Sequence, residues 1–176
     1  HIKALILELG GKAPFIVCDD ADIDKAVESA VISRYANCGQ VCICNEMVMV
    51  DEKIADEFTE KLVKRVKKIK VGDPFNPLTN MGPNVSTEGL SRVDKLVKEN
   101  MEEGAELVMG GGPPEGKMFE KGNWYAPTVI TNVKNHHATL RNELFAPILP
   151  IMKVSGFEEA LALSNSREEG LSAYLY

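Results

Sequence analysis

The sequence predicts an α/β fold: a layered αβα arrangement around a mostly parallel sheet. Two observations carry this. Short apolar runs alternate with amphipathic helical stretches along nearly the whole chain, the pattern of βα units. The stretches between the runs repeat their apolar residues at helical spacing, as at Ile23, Ala26, Val27, Ala30 and Val31. No internal repeat or low-complexity segment interrupts the pattern.

The elements follow in order. Residues 3–9, KALILEL, read as a strand closed by Gly10-Gly11, and residues 15–18 as a second strand. Asp19, Asp20 and Asp22 supply a helix start. Ile23, Ala26, Val27, Ala30 and Val31 then recur at helical spacing over 22–36. Asn37-Cys38-Gly39-Gln40 breaks that helix, and residues 45–50 form a strand around EMVMV. A helix over 53–69 has the stripe Ile54, Phe58, Leu62, Val66 and Ile69, with an acidic first half and a basic second half that complement its dipole. The basic half reads as a solvated helix face rather than a nucleic-acid patch. Residues 71–84 are a Pro- and Gly-rich loop. A third helix runs from a Ser86 cap through Leu90, Val93, Val97 and Met101 to Gly104. Strands are expected at 106–109, 124–131 and 148–154. Ser155 and Glu158 read as a capping box for a helix ending near 165, before a closing strand.

Composition narrows the function. With 176 residues the chain suits one domain, or a domain with an incomplete neighbour, and can bury a core without disulfides or metal. Its 20 basic and 26 acidic residues give a net charge of −6, which argues against a general nucleic-acid binder. No apolar run approaches the roughly 20 residues of a transmembrane helix, and HIKALILELGG lacks the basic start and cleavage site of a signal peptide. Both ends run into apolar stretches, so the chain is expected to be part of a longer polypeptide.

Four cysteines stand at 18, 38, 42 and 44. Three of them crowd into seven residues, which suits neither a disulfide scaffold nor the C-x2-C spacing of zinc sites. A reducing cytosol is the expected compartment, and no metal is expected. Asp20-Ala-Asp22-Ile-Asp24 imitates a calcium loop but has Lys25 where the turn needs Gly and Val31 where an acid is needed. Gly111 to Lys117 imitates a phosphate loop, but Met118 follows instead of Ser or Thr, and Pro113 and Pro114 remove amide donors.

Three features survive. Glu8, in LELGGKAP, is an acid at the end of an apolar strand, where burial would raise its pKa and suit it to general-base work. Cys42, in NCGQVC, follows a Gly-containing break where backbone can approach a ligand and a backbone N–H can face an oxyanion. NELFAP, residues 142–147, holds an acid and an aromatic in a short turn before a strand.

Together LELGGKAPFIVCDDADIDKAV, NCGQVC, MGP at 81–83, YAPTVI and NELFAP closely resemble the NAD(P)-dependent aldehyde dehydrogenase superfamily, over essentially the whole chain. Within it, ELGGKAP and SRYANCGQVCIC look most like enzymes of lactaldehyde, glyceraldehyde or similar short aldehydes, with succinate-semialdehyde dehydrogenases as near relatives. The resemblance implies the fold of that family's catalytic domain, with residues 1–12 the tail of a cofactor-binding domain and 13–176 a catalytic domain incomplete at its C-terminus. It implies that Cys42 is the nucleophile, passing through a thiohemiacetal and a thioester, and that Glu8 activates the hydrolytic water. Glu143 resembles the acid that bonds the nicotinamide ribose, Phe145 the aromatic beside it, and Leu9 the residue whose carbonyl meets the carboxamide. NAD or NADP is the implied cofactor, a small aldehyde the substrate, and a homo-oligomer the implied state of the full-length protein. Ala146 replaces the family's usual Gly, and Arg141-Asn142 a more acidic lead-in. The dinucleotide-binding domain that precedes the glutamate motif in the family is not in this sequence, so the 176-residue chain alone is expected to bind dinucleotide poorly and turn over little aldehyde. Two rival readings are a thiol hydrolase pairing Cys42 with His136 or His137, and a non-catalytic protein that kept the fold.

Overall fold

The structure is a computed structural model that describes residues 2–176. A six-stranded sheet in the order β3-β4-β5-β2-β1-β6 forms its centre. The strands are β1 (Ala13–Val17), β2 (Asn45–Asp51), β3 (Glu106–Met109), β4 (Thr128–Thr131), β5 (Ile148–Val154) and β6 (Tyr174–Leu175). All neighbours are parallel except β3, which runs antiparallel to β4 at one edge. The expected layered α/β architecture is therefore present, with one antiparallel edge strand.

Strands buried on both faces read as continuous apolar runs, and β2 is buried along its full length. Its side chains alternate between two cores. Val48 and Val50 face α1 (Ile23–Tyr35) and α2 (Ala55–Val66), packing with Phe15, Phe58 and Leu62. Met47 and Met49 face α3 (Thr87–Glu102) and α5 (Phe157–Ser164), packing with Val93, Leu96, Ile130 and Ala160. Along the basic half of α2, Arg65 bonds Glu28 and Lys64 bonds Glu60, while Lys67 and Lys68 lie exposed as the solvated face expected.

Several expectations are corrected. The segment 3–9 forms no strand; among the described residues no neighbour pairs with it, and an extended run without ladder partners has nothing to fix it. Ile2, Leu5, Ile6, Leu7 and Leu9 along it are 64–105% exposed. Trp124–Pro127 stay outside β4, because Pro127 has no N–H to donate and Ala126 N–H bonds Gly112 O instead. The cap of α5 is not Ser155 with Glu158: Gly156 takes the cap position, and Glu159 reaches back to accept from both the amide and the hydroxyl of Ser155 at 2.7 Å. The short helix α4 (Ala138–Arg141) is too brief to show periodicity; Glu103 accepts from the Ala138 amide and caps it.

Candidate active site

The loops that lead into the strands, not those that leave them, converge on one concave region. Gly10-Gly11 leads toward β1, Cys42 toward β2, Glu143 to Ala146 into β5, and Gly170-Leu171 toward β6. Two adjoining cavities of about 640 Å³ and 490 Å³ open there. Both are lined by Glu8, Leu9, Gly10, Cys42 and Glu143. Phe145, Gln40 and Val41 complete the smaller, and Leu7, Gly11 and Glu168 to Leu171 the larger. The structure thus brings together all five residues singled out from the sequence. In one respect it departs from expectation: Glu8 is exposed rather than buried, because the strand that was to bury it is not formed.

Close backbone approach shapes the region. Glu143 Oε1 accepts a hydrogen bond from Gly11 N–H at 3.1 Å. A Cβ on Gly10 would lie 2.6 Å from the other oxygen of that carboxylate, and a Cβ on Gly11 would lie 2.4 Å from Cys42 O. The two glycines therefore let the Cys42 loop and the NELFAP turn close on the same strip of chain. Gly39, at φ +72°, is pressed by Ala146 O, which a Cβ would meet at 2.2 Å.

The four thiols differ. Cys42 is half-buried and lines both cavities. Cys38 is buried; its Sγ donates to Gly82 O at 3.0 Å, and burial pushes its pKa up to about 11. This contact is what the MGP motif does here: it docks its carbonyls on the Cys38 thiol. Nearby, Gln40 Oε1 accepts from Val85 N–H at 2.9 Å. Burial also raises the pKa of Cys44. Cys18 stands at the opposite end of the sheet, its pKa raised by partial burial and then by Asp20, Asp19 and Asp51. The thiolate is the reactive form, so these surroundings favour inert roles for 18, 38 and 44. Neither His136 nor His137 lines either cavity, which leaves the thiol-hydrolase reading without its base. Among the described residues no group of His, Cys, Asp or Glu is placed to hold a metal ion.

Sequence reading missed the charged residues beneath the site. Glu46 is buried, and its carboxylate accepts from Lys12 Nζ at 3.1 Å and Arg34 Nη1 at 2.7 Å. It also accepts from the amides of Leu144 at 2.7 Å and Phe145 at 3.3 Å. Lys12 Nζ donates further to the carbonyls of Thr139 and Asn142, and Arg34 to those of Gly39 and Asn45. Burial opposes ionisation of Glu46, but the neighbouring cations of Arg34 and Lys12 outweigh it and hold the carboxyl below its ordinary range. Burial lowers the pKa of Lys12, against the pull of Glu46. From α3, Arg92 clamps the same turn through the carbonyls of Glu143 and Leu144. One signal was available: Arg34 follows Ala30 and Val31 at helical spacing, on the apolar face of α1.

The exposed groups suit part of a dinucleotide. The half-buried Glu143 carboxylate is an acceptor for ribose hydroxyls, and the Phe145 ring is 40% exposed beside it. Among the described residues no Lys, Arg or His lines either cavity, so phosphates find no cation among them. The donor set fits the ribose and nicotinamide end alone.

Comparison with known proteins agrees. The family model described as the aldehyde dehydrogenase family matches residues 1–176. The 3,6-anhydro-alpha-L-galactose dehydrogenase of Streptomyces coelicolor is 44% identical over 176 residues, all of this chain and 36% of that protein. A solved 3,6-anhydro-L-galactose dehydrogenase bound to NADP superposes with a TM-score of 0.93 at 46% identity, over 96% of this chain and 35% of the other. A betaine aldehyde dehydrogenase from Staphylococcus aureus in complex with NAD+ superposes with a TM-score of 0.92 at 36% identity, over 96% of this chain and 34% of the other. The chain belongs to the aldehyde dehydrogenase family. It spans about a third of the length of these relatives.

Proposed function

We propose that this chain supplies the nucleophile and the base of an NAD(P)-dependent aldehyde oxidation. The carrying observation is that Cys42, Glu8, Leu9 and Glu143, from three separate motifs, line the same two cavities. Cys42 adds through its thiolate to the aldehyde carbon, giving a thiohemiacetal. The bound nicotinamide supplies the hydride acceptor, and departure of hydride leaves a thioester on Cys42. Glu8 takes the proton of the water that hydrolyses this thioester to the acid; its exposure leaves room for that water. Glu143 holds the ribose, Phe145 packs beside it, and the Leu9 carbonyl meets the carboxamide. NAD or NADP serves as cofactor.

Residues 1–12 belong, in this reading, to a cofactor-binding domain. The unpaired, exposed apolar segment 2–10 supports that assignment. The 176-residue chain by itself is expected to reduce little dinucleotide. The reducing compartment expected from the cysteines suits a free thiol nucleophile, and among the described residues no helix is long and apolar enough to cross a membrane.

The substrate is a hydroxylated aldehyde. That chemistry is shared by lactaldehyde and glyceraldehyde, to which the motifs point, and by 3,6-anhydro-L-galactose, after which two relatives are named. The charged residues lining the cavities are all carboxylates, which disfavours the carboxylate-bearing succinate semialdehyde. A panel of these aldehydes with betaine aldehyde, ranked by kcat/KM on the full-length polypeptide, tests the substrate; preference for succinate semialdehyde or betaine aldehyde overturns it. The mechanism is tested by Glu8→Gln. It should give one equivalent of reduced dinucleotide and an acylated Cys42 peptide, then stall. Steady turnover by a Cys42→Ser protein contradicts the assignment.

A further inference from the structure

The two segments that meet at the site are both bent in ways non-glycine residues avoid. Asn37 and Cys38, before the nucleophile, sit at φ 47° and 60°, and Phe145 sits at φ 50°. Such conformations persist only where surroundings over-determine them. One buried carboxylate bonds the second segment directly and is tied to the first through Arg34. Glu46 accepts four hydrogen bonds on two oxygens: Lys12 and the Leu144 amide on one, Arg34 and the Phe145 amide on the other. Through Arg34 the cluster reaches Gly39 O, one residue past the strained pair; through Lys12 it reaches Thr139 O and Asn142 O, just before the turn.

We propose that Glu46, together with Lys12 and Arg34, is a positioning unit that sets the turn of Glu143 and Phe145 against the loop of Cys42. This rests on the reading of that site as an aldehyde dehydrogenase site. A buried ion cluster is weak evidence for stability, since apolar residues of similar volume often serve as well. What it supplies is direction: fixed acceptors and donors that well-packed aliphatic groups cannot provide. The chemistry of the residue types is specific. A glutamine at 46 would turn an NH2 group toward a cation or an amide N–H, so at least one arm would be lost. A lysine at 34 lacks the planar fork that here reaches Glu46, Asn45 and Gly39 at once. Contact between the segments is direct, at Gly39 and Ala146, so displacing one disturbs the other.

The test compares Glu46→Gln and Arg34→Lys with Phe58→Leu, a change in the α2 core remote from the site. All are made in the full-length polypeptide and assayed well below their Tm values. Three readouts are taken: hydrogen exchange of a 141–147 peptide, the Cys42-to-Cys18 alkylation ratio, and kcat and KM for the dinucleotide. Glu46→Gln is expected to speed exchange at 144 and 145, to change the alkylation ratio several-fold, and to raise the dinucleotide KM by about 10-fold or more, the scale of an ångström-level misplacement. Arg34→Lys shifts the alkylation ratio even if the Gln variant fails to fold. Phe58→Leu lowers Tm and moves none of the three. If the Glu46 and Arg34 variants match Phe58→Leu, the cluster is structural only and the proposal is overturned. Exchange and alkylation do not depend on aldehyde oxidation. A parent protein that oxidises no aldehyde but shows the expected changes keeps the positioning unit and rejects the functional reading.

Discussion

At the amino edge of the sheet, where β1, β2 and β5 begin, Lys12, Glu46 and Arg34 lie out of water and bond backbone groups of the loops around them. At the carboxyl edge of the same strands the charges are arranged otherwise. Lys53 pairs with Asp19, and Lys153 with Asp56, all with side chains 47–91% exposed. The backbone differs in parallel. Of the four non-glycine residues at positive φ among those described, Asn37, Cys38 and Phe145 stand at the amino edge. Each edge also carries one half-buried cysteine, Cys42 at the first and Cys18 at the second. The contrast teaches that ion pairs of similar composition do different work according to burial. The exposed pairs join side chains in water, whereas the buried cluster bonds the backbone of the loops around it.

The comparison can be broken most severely at the thiols. Cys42→Ser is expected to lower aldehyde oxidation on the order of 10³-fold or more, as loss of a nucleophile does, whereas Cys18→Ser leaves the rate within the error of the assay. Next come the lysines. Lys12→Met removes a partner from a buried ion cluster and is expected to cost about 3 kcal/mol, a fall of about 10 °C in Tm for a chain of this size. Lys53→Met at the other edge should leave the melting curve where it was. Equal shifts for the two would erase the distinction between edges.

Two glycines sharpen it further. Gly39→Ala meets both a left-handed φ and the carbonyl of Ala146, and is expected to cost at least about 2 kcal/mol. Gly104→Ala has φ +97° but open space around it, and should cost only about 1 kcal/mol. Denaturant titrations of the two proteins give the difference directly. The smallest effect is on acid stability. The folded pKa of Glu46 lies below its unfolded value, so its contribution is present above about pH 4.3 and is lost as pH falls through the folded value. The Tm gap between the parent and Glu46→Gln should therefore narrow as pH falls below 4.3; a gap that stays constant to the acid limit would contradict the linkage.

The fold was legible wherever an element buried one face against the rest of the chain. Ile23, Ala26, Val27, Ala30 and Val31 marked α1, and the run EMVMV marked the central strand. The segment 3–9 was misread for the same reason: its pattern describes a strand, but a strand exists only with a neighbour, and none of the described residues pairs with it. Cys42, Glu8, Leu9, Glu143 and Phe145 were legible because the motifs around them are distinctive. Lys12, Arg34 and Glu46 were not, since a charged residue in a sequence is read as facing water. Only their partners, brought from 5 to 130 positions away, offset the cost of burial. The helical spacing that put Arg34 on the apolar face of α1 was the one trace left in the sequence.

The most direct measurement is the relative alkylation rate of the four cysteines under limiting iodoacetamide at neutral pH, read peptide by peptide. If the amino edge is the chemical edge, Cys42 is modified first, Cys18 follows, and the buried Cys38 and Cys44 react last. Modification of Cys18 ahead of Cys42, or equal rates for all four, would contradict that assignment.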